Sequence, residues 1–248
     1  MCTIEPSQAR ALSSNEWGHL YNMTLLKTVV ESIQNETVSV WSMEVLRLTK
    51  EDDCVLEIGC GSGMSSLYLS KYGRRVTALD YSKESLALVH AASVALGVEV
   101  NLTYADATAK LPFLDGQFDV AFQAGLLEHF QKKKRIELLK LWKPVCRTMV
   151  SMIPNAHSVA YRAGKSLQEK AGTWPYGLEI PQSSLWDEFY EAGYERIKEY
   201  TIGFEHALEF LPKDHYLRIA LKRWFDETGA ESDICGQGYL LVTIGETS

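Results

Sequence analysis

The residues best placed to do chemistry stand where apolar runs meet glycine. The densest group is Val55-Leu56-Glu57-Ile58-Gly59-Cys60-Gly61-Ser62-Gly63-Met64. Three glycines on alternate positions free the backbone for positive φ and for close approach to a ligand. Val55, Leu56 and Ile58 read as a strand buried on both faces, and Met64, Leu67, Tyr68 and Tyr72 follow at helical spacing. Strand, glycine turn and the unpaired N–H groups at a helix start make a geometry for holding a nucleotide-bearing ligand. The spacing narrows the choice. A dinucleotide fingerprint G-x-G-x-x-G would place its third glycine at Met64 or Ser66, and neither is glycine. What stands here is E-x-G-x-G-x-G.

Further polar groups follow at strand ends. Arg75 to Asp80 is an apolar run closing on a carboxylate, where doubly wound folds hold a ribose through its hydroxyls. Val98, Val100, Leu102 and Tyr104 alternate as a strand that runs into Ala105-Asp106-Ala107. Phe118 to Phe122 forms a fourth strand after the Asp115-Gly116 turn, followed by Gln123 and the pair Glu128-His129. A histidine there can take a proton near neutral pH.

The E-x-G-x-G-x-G loop, Asp80, Asp106, the run Leu111-Pro112-Phe113-Leu114-Asp115-Gly116-Gln117-Phe118-Asp119 and Glu128-His129 together resemble the class I S-adenosylmethionine-dependent methyltransferases. The likeness is to the small-molecule type, similar to the ubiquinone- and menaquinone-biosynthesis methyltransferases. The resemblance implies S-adenosylmethionine as cofactor, S-adenosylhomocysteine as product, and no metal. It places Glu57, Gly59, Cys60, Gly61 and Gly63 around the cofactor loop, Asp80 on the ribose and Tyr81 against adenine. Asp106 and the backbone at Ala107 would meet the adenine edge, and the stretch from Gln123 the methionine end. It makes His129 the first catalytic base, with Glu128 behind it. Tyr21, Glu128, Tyr161, Trp174 and Tyr176 are the substrate-contact expectations.

The elements needed to position these groups are legible in outline. They make an α/β fold, a Rossmann-like doubly wound sheet, mostly parallel with helices on both faces, and the resemblance implies that the last strand is antiparallel. Residues 1–50 carry helical stretches with Trp17, Tyr21, Leu25, Val29 and Ile33, then Val38 to Leu48, expected as a helical cover. Residues 51–153 form the cofactor-binding core, closing on a fifth strand, Met149 to Ile153. Residues 154–248 hold the substrate and lid segment and the C-terminal strands. Within them 156–183 is an aromatic-rich connection expected to act as a lid. A helix over 184–192 with a capping-box-like Ser184 and Asp187, a strand over 197–202, a helix around 217–224 and a last strand over 239–244, by the resemblance antiparallel at the sheet edge, complete the single domain.

Composition sets bounds. At 248 residues and 46% hydrophobic content the chain can bury one sizeable core. A net charge of −7 lacks the basic face that nucleic acid needs. Lys132-Lys133-Lys134-Arg135 reads as a solvated helix face. Five scattered cysteines give neither a disulfide framework nor zinc spacing. Met1 to Arg10 has no apolar leader and no run is long enough to cross a bilayer, so the expected setting is the cytoplasm and the expected partner a small-molecule acceptor. Two other classes stay open: a non-catalytic cofactor-binding partner or sensor, which would lack an acceptor cavity, and a nicotinamide oxidoreductase, for which the glycine spacing is broken.

Overall fold

The computed structural model describes residues 12–228 and 236–247. The expectation for Met1 to Arg10 lies outside the described residues. The first helices are α1 (Ser14–Leu20), α2 (Leu26–Gln34) and α3 (Val40–Leu48). Ser13 and Glu16 close a capping box on α1, and Ser39 caps α3. The core then alternates β1 (Cys54–Ile58), α4 (Met64–Lys71), β2 (Arg75–Asp80), α5 (Lys83–Leu96), β3 (Val100–Tyr104), β4 (Phe118–Ala124), α6 (Lys132–Trp142) and β5 (Cys146–Pro154). Ser82 caps α5 and Gly97 ends it at φ +66°. The rest comprises α7 (Val159–Ala171), α8 (Trp186–Glu191), β6 (Glu195–Ile202), α9 (Phe204–Glu209), α10 (Tyr216–Thr228) and β7 (Leu240–Glu246).

The seven strands lie in the order β3-β2-β1-β4-β5-β7-β6. Pairings from β3 through β5 are parallel, and β7 runs antiparallel to both β5 and β6. The last strand is therefore antiparallel, as expected, but it lies one place in from the edge, which β6 occupies. Strand β1 shows why the sheet is double-faced. Leu56 and Ile58 pack with Leu139 and Trp142 of α6 and Phe189 of α8, while Val55 turns to Val45 of α3 and Leu69 of α4. Strand order reverses direction between β1 and β4, so a crevice opens at their carboxyl ends.

The first half of residues 156–183 is α7, which packs with α9 and α10 in a separate aromatic cluster. Two expectations need correction. Helix α8 starts at Trp186 with no side-chain cap at Leu185; Ser184 instead donates to Glu199 while accepting from the Trp186 N–H. The basic run is solvated only in part. Arg135 is 4% exposed, donates to Glu188 Oε1 at 2.6 Å, to Gln182 Oε1 at 3.0 Å and to the Phe130 carbonyl at 2.8 Å, and so fastens α6 to α8 and to the segment before it.

Candidate active site

At the carboxyl end of β1 the chain turns through Gly59, Gly61 and Gly63 at φ +74°, +51° and +67°. The Gly59 and Cys60 N–H groups both donate to the Leu79 carbonyl, at 2.8 and 3.0 Å, which ties the loop to β2. Glycine is required at Gly63 by space as well: a Cβ there would lie 2.3 Å from a Val89 methyl. Gly63 thus sets the close approach of α4 to α5 and does not line the cavity.

Two carboxylates hold the loop from below. Glu57 Oε2 accepts from the Ser66 N–H at 3.0 Å and its hydroxyl at 2.5 Å. Burial pushes the Glu57 carboxyl up to about 8, with the Ser66 bonds working against it. Asp80 Oδ2 accepts from the Gly61 N–H at 2.9 Å and Oδ1 from the Ser82 N–H at 2.8 Å. Burial raises the Asp80 pKa, and those backbone donors oppose the rise. The Tyr81 N–H and the Cys60 thiol also bond to Asp80.

A cavity of about 660 Å³ opens above this loop. Its first half is bounded by Glu57, the Gly59–Gly61 backbone, Asp80 and Tyr81, and reaches Asp106 and Ala107. Asp106 Oδ1 is turned back onto the Thr108 N–H and hydroxyl, at 2.7 and 2.8 Å, which leaves Oδ2 for a ligand. The Trp142 indole N–H donates to the Ala107 carbonyl at 2.8 Å and fixes that turn. Gln123 is fully buried and does not line the cavity. Its Oε1 accepts from the Leu126 and Leu127 N–H groups at 2.8 and 3.2 Å, so it shapes the turn that carries Glu128 and His129.

The second half lies beyond that turn. His129, Glu128, Tyr21 and Tyr176 line it, joined by Glu179 and Tyr239. Helix α1 lies across the opening: the Tyr21 ring would be 3.1 Å from a Cβ on Gly61, and Trp17 stacks parallel to Tyr21 and meets the His129 ring edge-on at 5.2 Å. His129 Nδ1 sits on the Leu178 carbonyl, so Nδ1 carries the ring proton and Nε2 keeps its lone pair. Burial lowers the His129 pKa, against the pull of the Leu178 and Gly125 carbonyls, and the imidazole is neutral at pH 7. Burial, with Glu179 nearby, drives the Glu128 pKa well up. Tyr161 and Trp174 do not line the cavity. Tyr161 is fully buried behind it and donates to Glu179, and Trp174 packs against Tyr161, Tyr176 and Phe210.

Sequence reasoning did not single out Glu179, Lys165, His206 or Tyr239. Glu179 reaches the cavity because the Ile180 N–H donates to the Glu128 carbonyl at 2.9 Å, which lays this segment alongside the β4 turn. No local spacing in the sequence signals that pairing. Among the described residues no group of three or more His, Cys, Asp or Glu side chains is arranged to hold a metal, and no helix is long and apolar enough to cross a membrane.

Residues 55–148 match the family model described as a methyltransferase domain. A ubiquinone biosynthesis O-methyltransferase of Azotobacter vinelandii is 34% identical over 89 residues, 36% of this chain and 38% of that protein. A norajmaline N-methyltransferase of Rauvolfia serpentina is 28% identical over 100 residues, 39% of this chain and 34% of that protein. The chain thus spans about a third of the length of these curated relatives. Among solved structures, a SAM-dependent methyltransferase of Thermotoga maritima, a possible histamine N-methyltransferase, superposes with a TM-score of 0.55 at 18% identity, over 84% of this chain and 87% of that one. The [4+2]-cyclase SpnF does so with a TM-score of 0.57 at 16% identity, over 97% and 99%. Residues 55–148 thus resemble a methyltransferase domain, and the chain shares the fold of these solved structures. The cyclase shares the fold, so the reaction has to be argued from the site.

Proposed function

We propose that the chain transfers a methyl group from S-adenosylmethionine to a small-molecule acceptor. The single observation that carries this reading is one cavity with two differently built halves. One half has the fit for the cofactor: a side-chain-free cradle at Gly59 and Gly61, and the Asp80 carboxylate lining the cavity at the end of β2. Asp80 would hold the ribose, Tyr81 the adenine face, and Asp106 with the Ala107 backbone the adenine edge. The continuing half gives an acceptor room, which is what a cofactor-binding partner without activity would lack.

The bound cofactor supplies an activated methyl on a sulfonium, and the chain supplies position, exclusion of water and proton handling. Trp17 and Tyr21 exclude water over the loop. His129, held by the Leu178 carbonyl, takes a proton at Nε2 from an acidic acceptor group. Glu128 is the second candidate for that proton. No broad basic face invites nucleic acid, and the free thiols at Cys54, Cys60 and Cys146 suit a cytoplasmic setting. Calorimetry tests the reading: S-adenosylmethionine and S-adenosylhomocysteine should bind and NAD should not. Binding of NAD alone sinks it.

A further inference from the structure

The acceptor half holds more buried carboxylate than it can pair. Glu128 is 1% exposed and the Glu179 side chain 5%, and both line the cavity. Glu179 is satisfied: the Tyr161 hydroxyl donates to it and Lys165 Nζ stands at 3.7 Å. Lys165 is shared between ion pairs, although its buried Nζ makes no hydrogen bond. Its Nζ lies 3.1 Å from Glu169 and 3.9 Å above the centre of the Trp174 ring. It acts on Glu128 only at a distance, and no ion pair joins the two. Glu128 Oε2 is buried with no hydrogen-bond partner. A buried carboxylate without a donor is costly, and natural sites keep one where a ligand completes it.

The walls around it favour the same kind of ligand. Tyr176, Phe210 and Tyr239 line this half, and aromatic faces attract cations through their quadrupole. Of the rings lining the cavity that could carry positive charge, His129 is neutral, and the other is His206. Burial lowers its pKa despite Glu209, so it is neutral at pH 7. An anionic acceptor would meet two carboxyl groups here, and a hydroxyl would bring no positive charge to draw Glu128, neutralised by its burial, back into its ionised form.

We propose that the acceptor is an amine, bound as its ammonium against Glu128 with the aromatic walls beside it; this rests on the methyl-transfer reading above. Lys165 and Tyr161 keep Glu179 occupied, so one carboxylate is left to receive one ammonium. The bound ammonium gives a proton to His129 Nε2, which leaves the nitrogen with the lone pair a nucleophile needs.

Calorimetry on the full chain saturated with S-adenosylhomocysteine tests this with three probes of one size: phenethylamine, 2-phenylethanol and phenylacetate. Phenethylamine should bind at least tenfold more tightly than either of the others. Glu128→Gln keeps the shape and removes the charge; it should abolish that preference and leave the affinity for S-adenosylhomocysteine intact. Equal or weaker binding of the amine, no binding of any probe, or a preference unchanged in Glu128→Gln overturns the proposal. The wild-type preference decides alone if the variant melts too low to assay. S-adenosylhomocysteine binding without amine preference brings down only this inference. Its failure to bind brings down the cofactor reading and this one with it.

Discussion

The two halves of the crevice are built on opposite plans. In the cofactor half nearly every polar group already has a partner within the protein: Glu57 has Ser66, Asp80 has the Gly61 and Ser82 N–H groups, Asp106 has Thr108. Those bonds hold the backbone in a ligand-ready shape before anything binds, as preorganised sites require. In the acceptor half the walls are aromatic, the cover comes from α1 and the segment after α7, and Glu128 Oε2 is left without a partner. The cofactor half leaves one hydroxyl, Ser85 Oγ, without a partner, and the acceptor half leaves a carboxyl oxygen. A shared cofactor can be met by a fixed frame, whereas specificity for an acceptor resides in groups that the acceptor itself must satisfy.

The largest expected separation of the halves comes from His129. Glutamine there keeps polarity but cannot take the proton, so turnover should fall by about 10²–10⁴-fold, the usual worth of a general base. Affinity for S-adenosylhomocysteine should hold, and a stable, fully active variant would remove His129 from the mechanism. The same lowered pKa fixes the pH profile. The base is active when neutral, so wild-type turnover should be flat through neutrality and fall only below the ordinary histidine value of 6.5. A fall centred well above 6.5 contradicts the role.

Two glycine substitutions should break one half each. Alanine at Gly63 meets Val89 at 2.3 Å in a left-handed conformation, and alanine at Gly164 meets the Phe210 carbonyl at 2.4 Å. Overpacking of this kind costs about 1–3 kcal/mol. Gly63→Ala should weaken S-adenosylhomocysteine binding, whereas Gly164→Ala should spare it and disturb acceptor binding. If both variants lose the same ligand in titrations, the two halves are not separate.

Within the cofactor half, Asp80→Ala should cost more S-adenosylhomocysteine affinity than Asp106→Ala. Asp80 can take two ribose hydroxyls and Asp106 one adenine contact, each charged bond being worth about 1.5–3 kcal/mol. Reversed losses would refute the assigned roles. Glu57 acts on stability, because burial outweighs the Ser66 bonds that oppose it. Its pKa is raised to about 8 from the ordinary 4.5, so its contribution is present below 4.5 and is lost as pH rises through 8. Thermal melts should show wild type losing stability between pH 5 and 9 that Glu57→Gln does not lose. Parallel curves would count against a buried, largely protonated Glu57.

The cofactor half was the legible half, for a physical reason. Strands β1 and β2 are short apolar runs buried between helices, β3 is an alternating edge strand, and the glycines and acids that act stand within a few residues of the strand ends. The acceptor half follows no such local rule. The buried face of α7 is Ala160, Tyr161, Gly164 and Lys165, which no apolar periodicity marks. Gly164 lies there because the helix touches the backbone at Phe210, a contact known only once α9 is in place. Arg135 reads as part of a solvated run, yet Glu188, 53 residues later, buries it. Tyr161 and Trp174 were visible as aromatic residues near the crevice, but their facing depends on packing with Phe210 and Tyr239. The inset place of β7 likewise follows from pairing partners and not from its own residues.

A crystal structure of the full chain with S-adenosylhomocysteine tests the central claim of a divided crevice most directly. The account predicts the ribose on Asp80, the adenine between Tyr81 and the Asp106–Ala107 turn, and the sulfur directed toward the Gly125–His129 turn. The space between Glu128, Tyr176 and Tyr239 should remain open beside it. A ligand lying across Glu128 and Glu179, or one that fills the whole cavity and leaves no room for an acceptor, would contradict it.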